Sequence, residues 1–267
     1  MENAKLIEMI KTNPNSIAYL PNPNDELKLL AVQKNGLTLK YIDQPTLEMQ
    51  ELAIANNGQA IQFVDNPTDE MMIKAIHDSW INLEYIKSPS DQLIKLALDQ
   101  AGWAIKYVKN PSEEQQLLAI RRNYDSLKFI QSPCPVAQKE AVKISYDALR
   151  YIKSPTHEAE LLAIKNHESA IIFVHDLAKD KILKFLKVNI LVIKYVIDKV
   201  SQAELEQVLK ETLAHEDVEE KYVRDFINCN YINKTSAQMP IDKIMFIDQY
   251  GSRKAKRVTV DEKLKML

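Results

Sequence analysis

A 22-residue period runs through most of the chain and limits what it can fold into. An aromatic residue recurs at this spacing, at Tyr19, Tyr41, Phe63, Tyr85, Tyr107, Phe129, Tyr151, Phe173 and Tyr195. Prolines recur at the same spacing from Pro23 to Pro155, and alanines from Ala31 to Ala163. A repeat this short cannot bury its apolar side alone, so its stability must come from stacking on its neighbours.

Each repeat predicts two short helices, A and B. In residues 88–109, Ser88 is expected to cap a helix A of about eleven residues that begins at Pro89. Gly102 then follows helix A, and we expect it to end that helix with a positive φ. Helix B is predicted over residues 103–109. Gly36 and Gly58 occupy the same place in their own repeats.

The fold class predicted from these patterns is all-α, because period-2 alternation is absent over residues 1–235. About nine two-helix repeats form an α-solenoid over residues 1–198, and residues 199–235 form a helical C-terminal cap. Residues 236–267 lose the helical period. Two interpretations stay open for this tail, a short β-hairpin that pairs residues 244–247 with 257–260 and a flexible segment.

Several classes of enzyme are excluded by missing motifs. The chain has 4 glycines, each in a different part of the sequence, so it lacks a phosphate-binding or dinucleotide-binding loop. It also lacks an H-E-x-x-H zinc motif, a C-x-x-C pair and a G-x-S-x-G nucleophile elbow. We therefore expect no enzymatic activity, no cofactor and no metal. The remaining alternative is an enzyme whose site lies in residues 155–176 or in the tail. A metal or ligand found in the purified protein would be the evidence for such a site.

The expected location is the cytoplasm. The 2 cysteines, Cys134 and Cys229, cannot form a disulfide framework. The first residues lack the basic and apolar regions of a signal peptide, and no apolar run approaches the roughly 20 residues that cross a bilayer. No membrane partner is therefore expected.

The stretch from Ala31 to Tyr41, AVQKNGLTLKY, resembles the repeats of an uncharacterised α-helical family that read roughly A-V-x-x-N-G-x-A-L-x-Y. Such repeats are frequent in proteins of large phages and giant viruses. The resemblance covers about residues 1–198 and departs where Asn-Gly is replaced, as at Ser79-Trp80 and Asn123-Tyr124. It implies a helical repeat fold and a viral origin, and it implies no mechanism.

Basic side chains gather in the middle of the chain, although the net charge is only −2. Residues 1–100 carry 8 basic and 14 acidic side chains, and residues 101–200 carry 16 and 11. Stacking of the B helices would align Lys106, Lys128 and Arg150 in a basic ridge. The alternative is a solvated face whose cations pair locally, as Asp125 with Lys128, and favour helix C-termini.

Large aromatic side chains mark the start of several B helices. Trp80, Tyr124 and Tyr146 replace the glycine of other repeats, and Trp103 begins its own helix B. Exposed rings beside cations are typical anchors for protein partners and stacking platforms for bases. The alternative is that each ring folds over the adjacent turn as local packing.

The first functional hypothesis is a non-enzymatic interaction protein that holds a protein or peptide on repeats four to eight, a host component if the origin is viral. The second is nucleic-acid or polyanion binding along the basic ridge, assisted by the cluster Arg253-Lys254-Ala255-Lys256-Arg257. The oligomeric state does not follow from the sequence. The candidate partner-binding residues are Trp80, Trp103, Lys106, Tyr124, Lys128, Tyr146 and Arg150.

Overall fold

The computed structural model describes residues 2–265, which form helices and turns without a strand. The chain divides into two compact units, Met1–Ala137 and Gln138–Leu267, which are described separately. Most repeats contain one ten-residue α-helix followed by one six-residue 3-10 helix. The all-α repeat solenoid predicted from the sequence is therefore the observed fold.

The α-helices correspond to the predicted A helices up to α9, and further helices follow. Their bounds are α1 (Glu2–Thr12), α2 (Asp25–Lys34), α3 (Leu47–Asn56), α4 (Asp69–Asp78), α5 (Asp91–Gln100), α6 (Glu113–Arg122), α7 (Pro135–Ile144), α8 (His157–Asn166), α9 (Lys179–Val188), α10 (Ile193–Val196), α11 (Gln202–Leu213), α12 (Glu220–Asn228), α13 (Lys243–Tyr250) and α14 (Arg253–Leu264).

The predicted B helices are 3-10 helices, labelled η. Their bounds are η1 (Pro14–Tyr19), η2 (Gly36–Tyr41), η3 (Gly58–Phe63), η4 (Trp80–Tyr85), η5 (Gly102–Tyr107), η6 (Tyr124–Phe129), η7 (Tyr146–Tyr151), η8 (Glu168–Phe173), η9 (Ile190–Val192) and η10 (Ile197–Lys199). The predicted helix B at residues 103–109 thus begins one residue earlier and ends two residues earlier than expected.

The start of helix A was predicted wrongly. In the fifth repeat the N-cap is Ser90, whose hydroxyl accepts a hydrogen bond from Leu93 N–H, and α5 begins at Asp91. Ser88 and Pro89 precede the helix. The residue before a proline is driven toward an extended backbone, so the helix starts only beyond the proline turn, where a second serine supplies the cap.

The positive φ predicted for the glycines is also wrong, because none of them adopts one. Gly36 and Gly102 instead lie where two backbones nearly touch. A Cβ at Gly36 would lie 2.2 Å from the carbonyl oxygen of Ala53, and a Cβ at Gly102 would lie 2.1 Å from that of Ala119. These glycines therefore permit close stacking of neighbouring repeats.

Side chains from the following repeat cap the N–H groups of these glycines. Gly36 N–H donates to Asn56 Oδ1 at 2.8 Å, and Gly102 N–H donates to Asn123 Oδ1 at 2.9 Å. Asp78 accepts the N–H of Gly58 in the same way at 3.0 Å. A buried backbone donor without a partner would be costly, so these bonds tie adjacent repeats together in a defined register.

In the first unit the repeats form two stacked layers. Helices α1 to α6 pack on one another in chain order, and η1 to η6 form the second layer in the same order. In η5 the buried residues are Gly102, Ala104 and Ile105. Because residues i and i+3 eclipse in a 3-10 helix, Trp103 and Lys106 share the opposite, outward side.

In the second unit α8 packs on α9 and α9 packs on α11, and the unit ends in a helical bundle. Here the ninth repeat replaces its single 3-10 helix by η9, α10 and η10. The hydroxyl of the buried Tyr222 in α12 donates to the carbonyl oxygen of Leu186 at 2.9 Å. This bond joins the bundle to the last repeat.

The hairpin and the flexible tail predicted for residues 236–267 are both wrong within the described part. Residues 244–247 lie in α13 and residues 257–260 lie in α14. Helix α14 packs on α12 and α13, and it buries Ala255 and Val258. Burial of α14 against α12 stabilises this helix, although the local sequence pattern does not predict it. Residues 266 and 267 lie outside the described residues.

Candidate functional site

Helices η4, η5 and η6 carry most of the first-unit residues that the sequence singled out. We call this surface the B face and define it by Trp80, Trp103, Lys106, Tyr107, Asp125, Lys128 and Phe129. Residues i and i+3 eclipse in a 3-10 helix, so Trp103 and Lys106 share one side of η5, and Asp125 and Lys128 share one side of η6. Trp103 and Phe129 are each 40% exposed.

One cluster of the B face joins Trp80 to the next repeat. The Lys106 ammonium lies 4.4 Å from the ring centroid of Tyr107 and 5.6 Å from that of Trp80. The two ring centroids are 6.2 Å apart. These distances are within the range of cation–π attraction, so the lysine and both rings form one packed group.

A second cluster, one repeat further on, is built around Asp125. Trp103 Nε1–H donates to Asp125 Oδ1 at 2.8 Å, and Lys128 Nζ donates to Asp125 Oδ2 at 2.7 Å. Lys128 Nζ also lies 5.9 Å from the Trp103 ring and 5.1 Å from the Phe129 ring. The carboxylate therefore orients the indole and neutralises the lysine.

Two opposing effects act on the pKa of Asp125. Burial disfavours its charged form, but hydrogen bonds from Lys128 and Trp103 favour that form and lower the pKa below 3.8 overall. Asp125 is therefore ionised at neutral pH, and its cluster carries little net charge.

Lys106 differs from Lys128 in having no internal counterion. Within residues 3–265, no carboxylate lies within 4.0 Å of Lys106 Nζ, and the exposed cations Lys87 and Lys109 are equally without one. The basic ridge predicted from the sequence is thus uneven in the first unit. Lys106 keeps an exposed charge, whereas Lys128 is paired.

Two of the remaining predicted partner-binding residues, Tyr146 and Arg150, lie in the second unit, and Tyr124 lies in the first. The Arg150 guanidinium lies 5.6 Å from the Tyr151 ring and 5.8 Å from the Phe173 ring. The Tyr146 ring stacks on His167 with a centroid distance of 4.5 Å and an interplanar angle of 14°. Tyr146 is therefore packed on the next repeat.

Tyr124 begins η6 and is half-buried, as are Trp80 and Tyr146. These three residues take the helix position that Gly36, Gly58 and Gly102 hold elsewhere, as the sequence alignment of the repeats predicted. Trp103 is the most exposed of the four predicted rings, because it lies one position later and points outward.

The sequence analysis did not predict that Glu168 contacts a cation of the following repeat, as Trp80 does. Glu168 holds the place of Trp80 four repeats later, and its carboxylate binds Lys194 Nζ at 2.6 Å. Trp80 and Lys106 are 26 residues apart, as are Glu168 and Lys194. A search for complementary residues at this spacing would have found both pairs.

The basic cluster at residues 253–257 lies in the first turns of α14. Arg253 N–H and Lys254 N–H donate to the Glu216 carboxylate at 3.1 and 3.4 Å. Arg257 and Lys256 lie 4.0 Å from Glu220 and Asp248. Acidic side chains of the same unit thus face this cluster and lower its attraction for anions.

An open cleft of about 820 Å³ lies in the second unit, where the ends of α8, α9 and α11 meet the start of α12. Two ion pairs line it, Lys187 with Glu211 at 2.5 Å and Lys165 with Glu219. Its apolar lining includes Val218 and Tyr222. The charged side chains in the cleft are of both signs, so its electrostatics select no ligand class.

Metal ligation finds no support in the part of the chain that the structure describes. No group of three or more His, Cys, Asp or Glu side chains there could hold an ion. His167 uses its Nδ1 to accept a hydrogen bond from Ser169 N–H at 3.1 Å, so it serves as the N-cap of η8. None of the described helices is long and apolar enough to cross a membrane.

Comparisons with protein-family models, with curated proteins and with solved structures each find no match.

Proposed function

We propose that this protein is a non-enzymatic interaction protein whose B face holds a protein or peptide partner. One observation carries the proposal. Both tryptophans of the chain lie on this face, and the more exposed one, Trp103, is held by a hydrogen bond to Asp125. Tryptophan is enriched at the energetic centres of protein interfaces, and an orientation set before binding reduces the entropy lost on association.

Two features favour a protein partner over the nucleic acid that the sequence offered as the alternative. Lys128 is paired with Asp125, which reduces the charge available to phosphates. Lys106 lies over Trp80 and Tyr107, where a base would have to stack. Both features leave ring edges and lysine stems available for apolar and polar contacts with a polypeptide.

We extend the proposal to the corresponding positions of repeats seven and eight in the second unit. Arg150 there lies over two rings, as Lys106 does in the first unit. The resemblance to phage and giant-virus repeats adds a setting, in which the partner is a component of the host cell and the location is its cytoplasm.

The proposal is tested by capture of partners from nuclease-treated lysate of the native host. The wild-type protein is compared with Trp103→Ala and with Tyr19→Ala as a matched control. Tyr19 is 87% exposed but belongs to the first repeat, outside the B face. A stoichiometric protein that is lost from Trp103→Ala and retained by Tyr19→Ala supports the proposal.

Salt separates the two classes of partner. Binding to several phosphates falls by orders of magnitude between about 50 and 200 mM salt, because counterions are released. The affinity of binding that depends on an aromatic anchor falls much less over the same range of salt. A captured pool that disappears with nuclease, shows the steep salt dependence and survives in Trp103→Ala would overturn the proposal in favour of polyanion binding.

A further inference from the structure

The cations at the repeat position that Lys106 occupies fall into two groups. Lys128 and Lys194 each pair with a carboxylate of the same unit, supplied by Asp125 and Glu168. Lys40, Lys106 and Arg150 hold the same repeat position, lie over rings and have no carboxylate within 4.0 Å among the described side chains. A carboxylate thus neutralises the cation in two repeats, whereas Lys106 keeps its charge beside Trp80 and Tyr107.

We propose that Lys106 is the docking point for a carboxylate of the partner, so that the B face binds an acidic peptide segment. This inference rests on the proposed function and names the chemistry of the partner. Trp103 and Trp80 hold the repeat positions from which Asp125 and Glu168 reach Lys128 and Lys194, so a carboxylate for Lys106 would have to come from the partner.

Local charge supports an acidic occupant. Lys109, three residues after Lys106, and Lys87, in the preceding repeat, are exposed and have no carboxylate within 4.0 Å among the described side chains. Glu84 holds the position of Lys106 in the preceding repeat and is the nearest acidic residue in that column of the repeat. It lies beyond salt-bridge distance of Lys106. Lys87, Lys106 and Lys109 are thus exposed cations without a carboxylate partner, and such charges attract acidic side chains and repel basic ones.

The ring contacts favour a carboxylate over a nucleobase. The Lys106 ammonium already lies over one side of Trp80 and over Tyr107, so a base could stack there only by displacing it. A carboxylate approaches the ammonium from solvent and leaves both cation–π contacts in place, as Asp125 does with Lys128.

The chain carries its own reporter for this test, since Trp80 and Trp103 are its 2 tryptophans. In the full-length Trp103→Phe variant, Trp80 is the sole indole and lies beside Lys106. Its fluorescence is followed while blocked hexaglutamate, blocked hexaglutamine or a thymidine hexanucleotide is added. We expect a saturable change with hexaglutamate in the range of about 1 mM or tighter, and none with hexaglutamine.

Three substitutions in the same background locate the contact. Lys106→Gln keeps the stem, removes the charge and is expected to weaken hexaglutamate binding about fivefold. Lys95→Gln, in α5 of the same repeat, removes an equal charge from the other layer and leaves the affinity unchanged. Glu84→Gln removes the opposing charge and strengthens binding about twofold.

The inference is overturned if hexaglutamate causes no change, if Lys95→Gln weakens binding as much as Lys106→Gln, or if the hexanucleotide binds and hexaglutamate does not. Its failure is distinguishable from failure of the proposed function. If a captured partner is lost from Trp103→Ala but retained by Lys106→Gln, the proposed interaction function stands and the acidic-peptide inference is wrong.

Discussion

A β-carbon at Gly102 would lie 2.1 Å from the carbonyl oxygen of Ala119, so the backbones of η5 and α6 are in direct contact. Trp80 occupies the same helix position in η4, which shows that the close approach is local and not a requirement of every repeat. The glycine is thus needed for the space it leaves free, and its backbone conformation is one that other residues adopt.

Gly102→Ala is therefore expected to destabilise the protein by about 1–3 kcal/mol, because two backbones would have to separate. Gly58→Ala is the matched control. Its Cβ would meet only side-chain atoms of Asn82 and Asp78, none closer than 2.8 Å. We expect a smaller loss in the free energy of unfolding, measured by urea denaturation. Equal losses in the two variants would contradict the backbone-contact explanation.

A buried ion pair in the second unit should matter more than an exposed one in the same helix. Glu160 is 2% exposed and binds Lys181 Nζ at 2.7 Å, whereas Lys179 and Glu204 pair at 3.0 Å near the surface. Lys181→Met leaves a buried carboxylate without its cation and is expected to cost about 3 kcal/mol. Lys179→Met should cost less than about 1 kcal/mol in the same urea experiment. A reversed order would show that burial does not set the strength of these pairs.

Acid should weaken the start of α11. Hydrogen bonds from Ser201 N–H and from its hydroxyl, followed by the bond from Lys179, lower the pKa of Glu204 from 4.5 to about 2. A carboxyl with a lowered pKa stabilises the folded state above its unfolded pKa, and this contribution is lost as the pH falls from about 4.5 toward 2.

In the Glu204→Gln variant this component of acid destabilisation is absent. Thermal unfolding midpoints of the variant and the wild type should therefore differ at pH 6 and converge as the pH approaches about 2. Ser201→Ala removes the hydroxyl donor and should give an intermediate profile. Parallel profiles of wild type and Glu204→Gln over this range would refute the assignment.

The last helix can be tested with two neighbouring valines. In α14, Val258 is 1% exposed and Val260 is 58% exposed. Val258→Asp should lower the free energy of unfolding by about 3 kcal/mol or more, because it buries an unpaired charge, and Val260→Asp should change it little. In a β-hairpin the two side chains would lie on the same face and respond alike. Similar effects of both variants would therefore favour the hairpin over the helix.

The 22-residue period was sufficient to predict the repeat fold, since Ala97, Leu98 and Ile105 lie in the core as their columns indicated. It also predicted that Trp103 and Lys106 share one side of a helix. The period did not predict the type of helix B. The 3-10 form belongs to a six-residue segment whose buried residues, in η5 Gly102, Ala104 and Ile105, must pack against the neighbouring repeats, and that demand is tertiary.

Part of the candidate site likewise could not be obtained from the sequence. The bond between Trp103 and Asp125 joins residues 22 positions apart, so it depends on how closely successive repeats stack. The difference between the unpaired Lys106 and the paired Lys128 follows from the same spacing. Sequence columns align such side chains but do not determine which of them come within hydrogen-bond distance.

By itself, the sequence determined the repeat, the helical class and the outward columns, because these depend on periodic burial within each repeat. Only the tertiary structure decided the N-cap at Ser90, the role of Gly102 and the helix that contains Val258. Each of these depends on a contact with a distant part of the chain or on which of several local caps is used. The free energy of such contacts exceeds the weak local preferences that a single sequence displays.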